Sequence, residues 1–153
     1  MDTLLKTALF PGSFDPFTIG HASIVHRALQ LFDRVVIGVG YNINKRSLFS
    51  PDERVATICR VYADEPRVKV VAYDDLTADL ARREQARFVL RGIRSVKDFE
   101  YERDLAGTNH RLSGVETVLL FTEPQYADIS STVVRELLSF GKDVSEFLPK
   151  ISQ

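Results

Sequence analysis

A lone cysteine, Cys59, stands in a chain of 153 residues, which rules out an internal disulfide and fits a reducing compartment. Val55, Ile58 and Tyr62 share helical spacing with it, so Cys59 is expected to be a small buried hydrophobe. Charge of one sign is also missing. Lys and Arg number 20 against 21 Asp and Glu, and a net charge of −1 excludes a global positive field for nucleic acid or a membrane surface. No apolar run approaches membrane-spanning length. The start Met1-Asp2-Thr3-Leu4-Leu5-Lys6 lacks the pattern of a secretory signal, and a cytoplasmic protein is expected. There is no Gly-Lys-Ser/Thr phosphate loop, no Cys/His cluster for zinc, and no glycine elbow around Ser130 and Ser131. Gly38-Val39-Gly40 begins like a dinucleotide fingerprint but lacks the third glycine and falls on the second strand.

What is present is the composition of a soluble globular protein, 44% hydrophobic and 27% charged, at a length that predicts a single domain over residues 1–153. Short β-branched runs alternate with longer amphipathic ones. Strands are predicted at Thr7–Phe10, Arg34–Gly40, Val68–Tyr73, Phe88–Arg91 and Thr117–Phe121. Helices are predicted at His21–Phe32, Pro51–Ala63, Thr77–Gln85, Phe99–Leu112 and Thr132–Phe140, with a short turn near Val144–Leu148. Ser50, Pro51 and Glu53 have the spacing of a capping box, and Gly141 is a natural stop after Phe140. The alternation implies the α/β class: one doubly wound, Rossmann-like domain with a five-stranded parallel sheet and helices on both faces. Ligands of such sheets sit beyond the strand C-termini.

The most informative segment follows the first strand. Phe10-Pro11-Gly12-Ser13-Phe14-Asp15-Pro16-Phe17-Thr18-Ile19-Gly20-His21 is a glycine-bearing turn into a helix, an arrangement whose free N–H groups attract phosphate. Gly12 and Gly20 are expected to let the backbone approach a ligand, and His21 to add a donor. Ile129-Ser130-Ser131-Thr132 offers a second helix start. The strand-end rule brings His21, Lys45, Arg91 and Arg94 toward one cleft, a set suited to a polyphosphate or to two anionic ligands. Each has a duller role available. Ser130-Ser131-Thr132 can cap the fifth helix, and Arg91 and Arg94 can pair with Asp98 or Glu102.

Thr18-Ile19-Gly20-His21, Lys45, Arg91-Gly92-Ile93-Arg94, Asp98-Phe99-Glu100-Tyr101-Glu102 and Ile129-Ser130-Ser131-Thr132, in that order, resemble the bacterial phosphopantetheine adenylyltransferases. These belong to the nucleotidyltransferase superfamily with a T/H-x-G-H motif, and the likeness runs from Thr7 to Pro149. It implies adenylyl transfer from ATP to 4′-phosphopantetheine in coenzyme A biosynthesis, giving dephospho-coenzyme A and pyrophosphate. By position it implies ATP contacts from Ser13, Phe14, His21, Gly92, Ile93, Arg94, Glu102 and the stretch Tyr126, Ala127, Asp128, Ile129, Ser130, Ser131 and Thr132. It implies acceptor contacts from Ser13, Lys45, Thr77 and Arg91, with His21, Lys45 and Arg91 as the catalytic set. It further implies a homohexamer, and Mg²⁺ carried with ATP rather than held by a protein cage. Thr18 stands where nicotinamide mononucleotide adenylyltransferases have a first His, and no Arg precedes Ile129-Ser130-Ser131-Thr132 as in glycerol-phosphate cytidylyltransferases.

Overall fold

Val35-Val36-Ile37 has no polar face to show to water, so it must be covered on both sides. In the computed structural model, which describes residues 5–151, these residues are fully buried in strand β2 (Arg34–Gly40). The other strands are β1 (Thr7–Gly12), β3 (Val68–Tyr73), β4 (Phe88–Ile93) and β5 (Glu116–Phe121). All pairings are parallel, in the order β3-β2-β1-β4-β5. Helices α1 (Ile19–Ala28), α2 (Pro51–Val61), α3 (Thr77–Arg83), α4 (Val96–Ser113) and α5 (Ser131–Ser139) complete the expected α/β architecture.

Alternation along β1 divides the core. Ala8 and Phe10 pack on one face with Val35 and Ile37, under Ile24, Val25 and Ala28 of α1 and Ile58 of α2. Leu9, Val36 and Val89 pack on the other, under Leu80 and Ala81 of α3. The winding reverses between β1 and β4, and there the ladder is short. β1 pairs with β2 from Thr7 to Gly12, but with β4 only at Ala8–Phe88 and Leu9–Val89. Pro11 has no N–H to give, so the two strands part toward their C-terminal ends, which opens the sheet edge where a ligand belongs.

Several boundaries depart from the sequence reading. α4 starts at Val96 rather than Phe99 because the Ser95 hydroxyl caps the Asp98 N–H at 3.1 Å. α1 stops at Ala28, and the chain turns over through Leu29 to Phe32. A short 3-10 turn at Pro124–Tyr126 was not expected. Ser50 caps Glu53 N–H at 3.1 Å, but Glu53 is exposed and only this half of the capping box is formed among the described residues. Cys59 is exposed, not buried. The inward face of α2 is carried by Arg54 and Ile58, and the next residue points about 100° away around the helix.

Gly38, part of the false fingerprint, has a packing reason. A Cβ there would lie 2.8 Å from Leu80 Cδ2 and 3.1 Å from Tyr73 Cε1. Gly38→Ala is therefore expected to destabilise the protein by about 1–3 kcal/mol through overpacking. Urea denaturation should show a lower midpoint with an unchanged slope.

Candidate active site

Thr18 caps α1, and it does so reciprocally. Its hydroxyl accepts from His21 N–H at 3.4 Å, while its own backbone N–H donates to His21 Nδ1 at 2.9 Å. An amide can only donate, so Nδ1 is the acceptor and the neutral ring carries its proton on Nε2. The ring stands edge-on to Phe14 at 5.0 Å and tilted over Phe17 at 5.4 Å. Burial, followed by the nearby guanidinium charges of Arg91 and Arg94, lowers its pKa from 6.5 to about 4. His21 is thus a neutral, oriented Nε2–H donor at physiological pH. Gly12, expected to let the backbone approach a ligand, also makes room for a neighbouring ring. A Cβ there would lie 2.8 Å from Phe14 Cζ, so its space belongs to the Phe14 ring, whose residue sits at φ 50°.

A cleft of about 320 Å³ opens where β1 and β4 part. It gathers Ser13, Phe14, His21, Arg91, Gly92, Arg94, Glu102, Tyr126, Ile129, Ser130 and Ser131 of the anticipated set. Ile93 is buried beside it without lining it, and Ala127, Asp128 and Thr132 are exposed outside it. A second cleft of about 900 Å³ holds Lys45 and Thr77, and both clefts are lined by Gly12 and Ser13. The single cleft expected for His21, Lys45, Arg91 and Arg94 is thus two adjoining clefts with Ser13 at the shared wall. The β2–α2 loop carries Lys45 to the far side of that wall.

Both arginines keep the partners that the duller reading gave them, and they line the cleft as well. Arg91 makes a two-pronged ion pair with Glu102 at 2.9 and 2.8 Å, and its Nη1 donates to Pro11 O across the gap between β1 and β4. Arg94 Nε lies 3.5 Å from Asp98 Oδ2. Ser130 Oγ caps Val133 N–H at 3.2 Å, and Ser131 Oγ donates to Pro16 O at 2.7 Å. The hydroxyls thus fix the start of α5, and no described hydrogen bond uses the N–H of Ser131 or Thr132, which leaves them to an anion. Thr77 Oγ1 is 3.0 Å from Tyr73 Oη. Among the described residues no three His, Cys, Asp or Glu side chains gather as a metal site.

Three further residues hold these loops, and sequence reasoning gave Asp15 and Arg54 no role of their own. Asp15 and Arg54 are buried, Arg135 is half-buried, and all three line the second cleft. Arg54 had a signal: it shares the apolar stripe of Ile58, one turn earlier on α2.

The His21 assignment predicts an NMR titration near pH 4, with the Nε2–H tautomer above it. The unfolded chain binds this proton more tightly, so the stabilising contribution is complete above pH 6.5 and is lost as pH falls toward 4. A His21→Gln variant should lack that part of the acid destabilisation in pH-dependent denaturation.

Residues 9–137 match the cytidylyltransferase-like family. The fold is shared with a bifunctional NMN adenylyltransferase/ADP ribose pyrophosphatase from Francisella tularensis, at a TM-score of 0.75 and 17% identity over 95% of this chain. This chain spans 45% of that protein. The lipopolysaccharide core biosynthesis protein of Thermoplasma volcanium aligns over 78% of this chain with a TM-score of 0.58 and 17% identity. Much greater sequence similarity is found to the phosphopantetheine adenylyltransferase of Phocaeicola vulgatus, 59% identical over 95% of this chain and 97% of that one. The enzyme of the same name from Bacteroides fragilis is 56% identical with the same coverage. Similarity of this extent, spanning both clefts and all five strands, means that the chain belongs to the phosphopantetheine adenylyltransferase family.

Proposed function

We propose that this chain transfers the adenylyl group of ATP to 4′-phosphopantetheine, releasing dephospho-coenzyme A and pyrophosphate. The observation that carries this reading is the neutral Nε2–H donor of His21 in one cleft, with Ser13 shared by the neighbouring cleft that holds Lys45. ATP takes the first cleft. Ser13, Phe14 and His21 contact it, Gly92, Arg94 and Glu102 line the nucleotide side with Ile93 packed behind them, and Tyr126, Ile129, Ser130 and Ser131 of the stretch 126–132 face it. The acceptor takes the second cleft, held by Ser13, Lys45 and Thr77, and Arg91 reaches its phosphate from the first.

The reaction is an in-line displacement. An acceptor phosphate oxygen, already anionic, bonds to the α-phosphorus as the bond to the bridging oxygen of pyrophosphate breaks. No proton has to be removed, so no general base is required. The work is positioning and electrostatics. His21 donates to an α-phosphate oxygen as charge builds there, while Lys45 and Arg91 offset the acceptor's charge. The N–H groups at the start of α5 receive the leaving pyrophosphate. Mg²⁺ carried with ATP would supply neutralisation of polyphosphate charge, and no described side-chain cluster would be needed to hold it.

The chain is one catalytic domain, acts in the cytoplasm and assembles as a homohexamer. Self-association is supported by α4, whose buried residue is Glu102 while Val96, Phe99, Tyr101, Leu105 and Leu112 are exposed. No described helix is long and apolar enough to cross a membrane.

The deciding assay measures pyrophosphate release from Mg-ATP with 4′-phosphopantetheine, nicotinamide mononucleotide or glycerol-3-phosphate, and from CTP as the other donor. Release is expected only with ATP and phosphopantetheine, and release with another pair alone would replace this reading. His21→Ala should lower kcat by about 10²–10³ with ATP affinity little changed. His21→Gln keeps a residue favoured at this cap position. A comparable loss there would separate catalysis from helix capping.

A further inference from the structure

The loop 41–49 carries Lys45 on an otherwise exposed excursion, yet both its ends are tied to one side chain. Arg54 Nη1 donates to Gly40 O, just before the loop, at 3.1 Å, and Arg54 Nε donates to Phe49 O, at its end, also at 3.1 Å. The same Nη1 donates to Ser13 O at 2.6 Å. From the opposite side the Asp15 carboxylate accepts the N–H groups of Leu48 and Phe49 at 2.8 and 2.9 Å. The Phe49 peptide is thus gripped at its N–H by an anion and at its carbonyl by a cation. Within the loop, Lys45 N–H donates to Asn42 O at 2.9 Å, and Asn44 N–H to Asn42 Oδ1 at 2.9 Å.

Asp15 is 5% exposed and Arg54 4%, and neither makes an ion pair among the described residues. Both charges are compensated by backbone groups of two loops, the Ser13 turn and the Lys45 loop. Apolar side chains would fill this space at lower desolvation cost, but they would leave five backbone groups unanswered. We propose that Asp15 and Arg54 are positioning residues for the acceptor, holding the Lys45 loop against Ser13 so that Lys45 and Ser13 meet one phosphate. The inference rests on the acceptor occupying the second cleft.

The test is steady-state kinetics on Asp15→Asn, Lys45→Ala and the double variant. Asp15→Asn keeps the shape but turns a donor toward one of the two amides. The KM for 4′-phosphopantetheine should rise about 10- to 100-fold, with the KM for ATP within about twofold. In the Lys45→Ala background the same change should add less than about twofold, because the loop's cargo is already gone. Equal rises for both substrates, or fully multiplicative losses, would overturn the proposal. Arg54→Lys, which retains the charge and fewer donors, serves the same comparison if Asp15→Asn does not fold. Amide exchange at Leu48 and Phe49 reads the clamp without activity. It should accelerate at least about tenfold in Asp15→Asn while the β2 amides hold. Unchanged exchange would refute the clamp. A wild-type protein that releases no pyrophosphate would instead refute the assigned reaction and leave the exchange result to judge the clamp.

Discussion

Backbone that leaves a sheet ladder must still find hydrogen-bond partners, and at this sheet edge charged side chains provide them. Arg54 satisfies three carbonyls, Arg91 takes Pro11 O, Arg135 takes Asp15 O at 2.8 Å, and Arg27 takes Phe121 O at 2.7 Å. Asp15 takes two N–H groups. These are charge-assisted bonds, the stronger kind, and they join loops far apart in sequence: Ser13 to Arg54, Pro11 to Arg91, Asp15 to Arg135. The walls of the clefts are thus built from loops bonded to one another.

The same bonds set the electrostatics. Arg91 is largely balanced by Glu102, and Arg94 lies beside Asp98, so neither presents a bare charge. Lys45 makes no ion pair among the described residues, and its loop leaves it exposed. A chain with a net charge of −1 can therefore still present a local cation and two helix starts to anionic ligands. Pairing also keeps the first cleft from holding two uncompensated guanidinium groups side by side, which would repel each other whenever no phosphate is bound.

The strands were legible because period and β-branching act locally. β2 and β3 have the bounds that Arg34–Gly40 and Val68–Tyr73 suggested, and the strand-end rule led to the loops that line both clefts. Legibility failed where a partner lies far along the chain. Nothing near Asp15 in sequence announces the amides of Leu48 and Phe49, and nothing near Arg54 announces Ser13 O. Cys59 departs from its expected burial because apolar neighbours at helical spacing do not make an apolar face, and Arg54 with Ile58 occupies the inward face of α2. The division into two clefts was hidden too, since it depends on where the turn at Gly12 and Ser13 stands between the loops of either side.

The Thr18–His21 pair shows why a neutral imidazole fits the proposed chemistry better than a cation. A protonated ring would attract the triphosphate before and during reaction alike, and uniform attraction does not lower the barrier. It would also be repelled by the guanidinium charges of Arg91 and Arg94, which add to burial in opposing its protonation. A neutral ring whose Nδ1 is fixed by Thr18 N–H has one donor in one direction. Its value is positional. It is largest where charge on an α-phosphate oxygen peaks, and smaller in the ground state when that oxygen lies elsewhere. The helix cap therefore performs two tasks with one pair of bonds. It satisfies the first turn of α1 and selects the tautomer, and because the bond that selects it comes from the Thr18 backbone N–H, the selection belongs to the helix start itself rather than to a replaceable side chain.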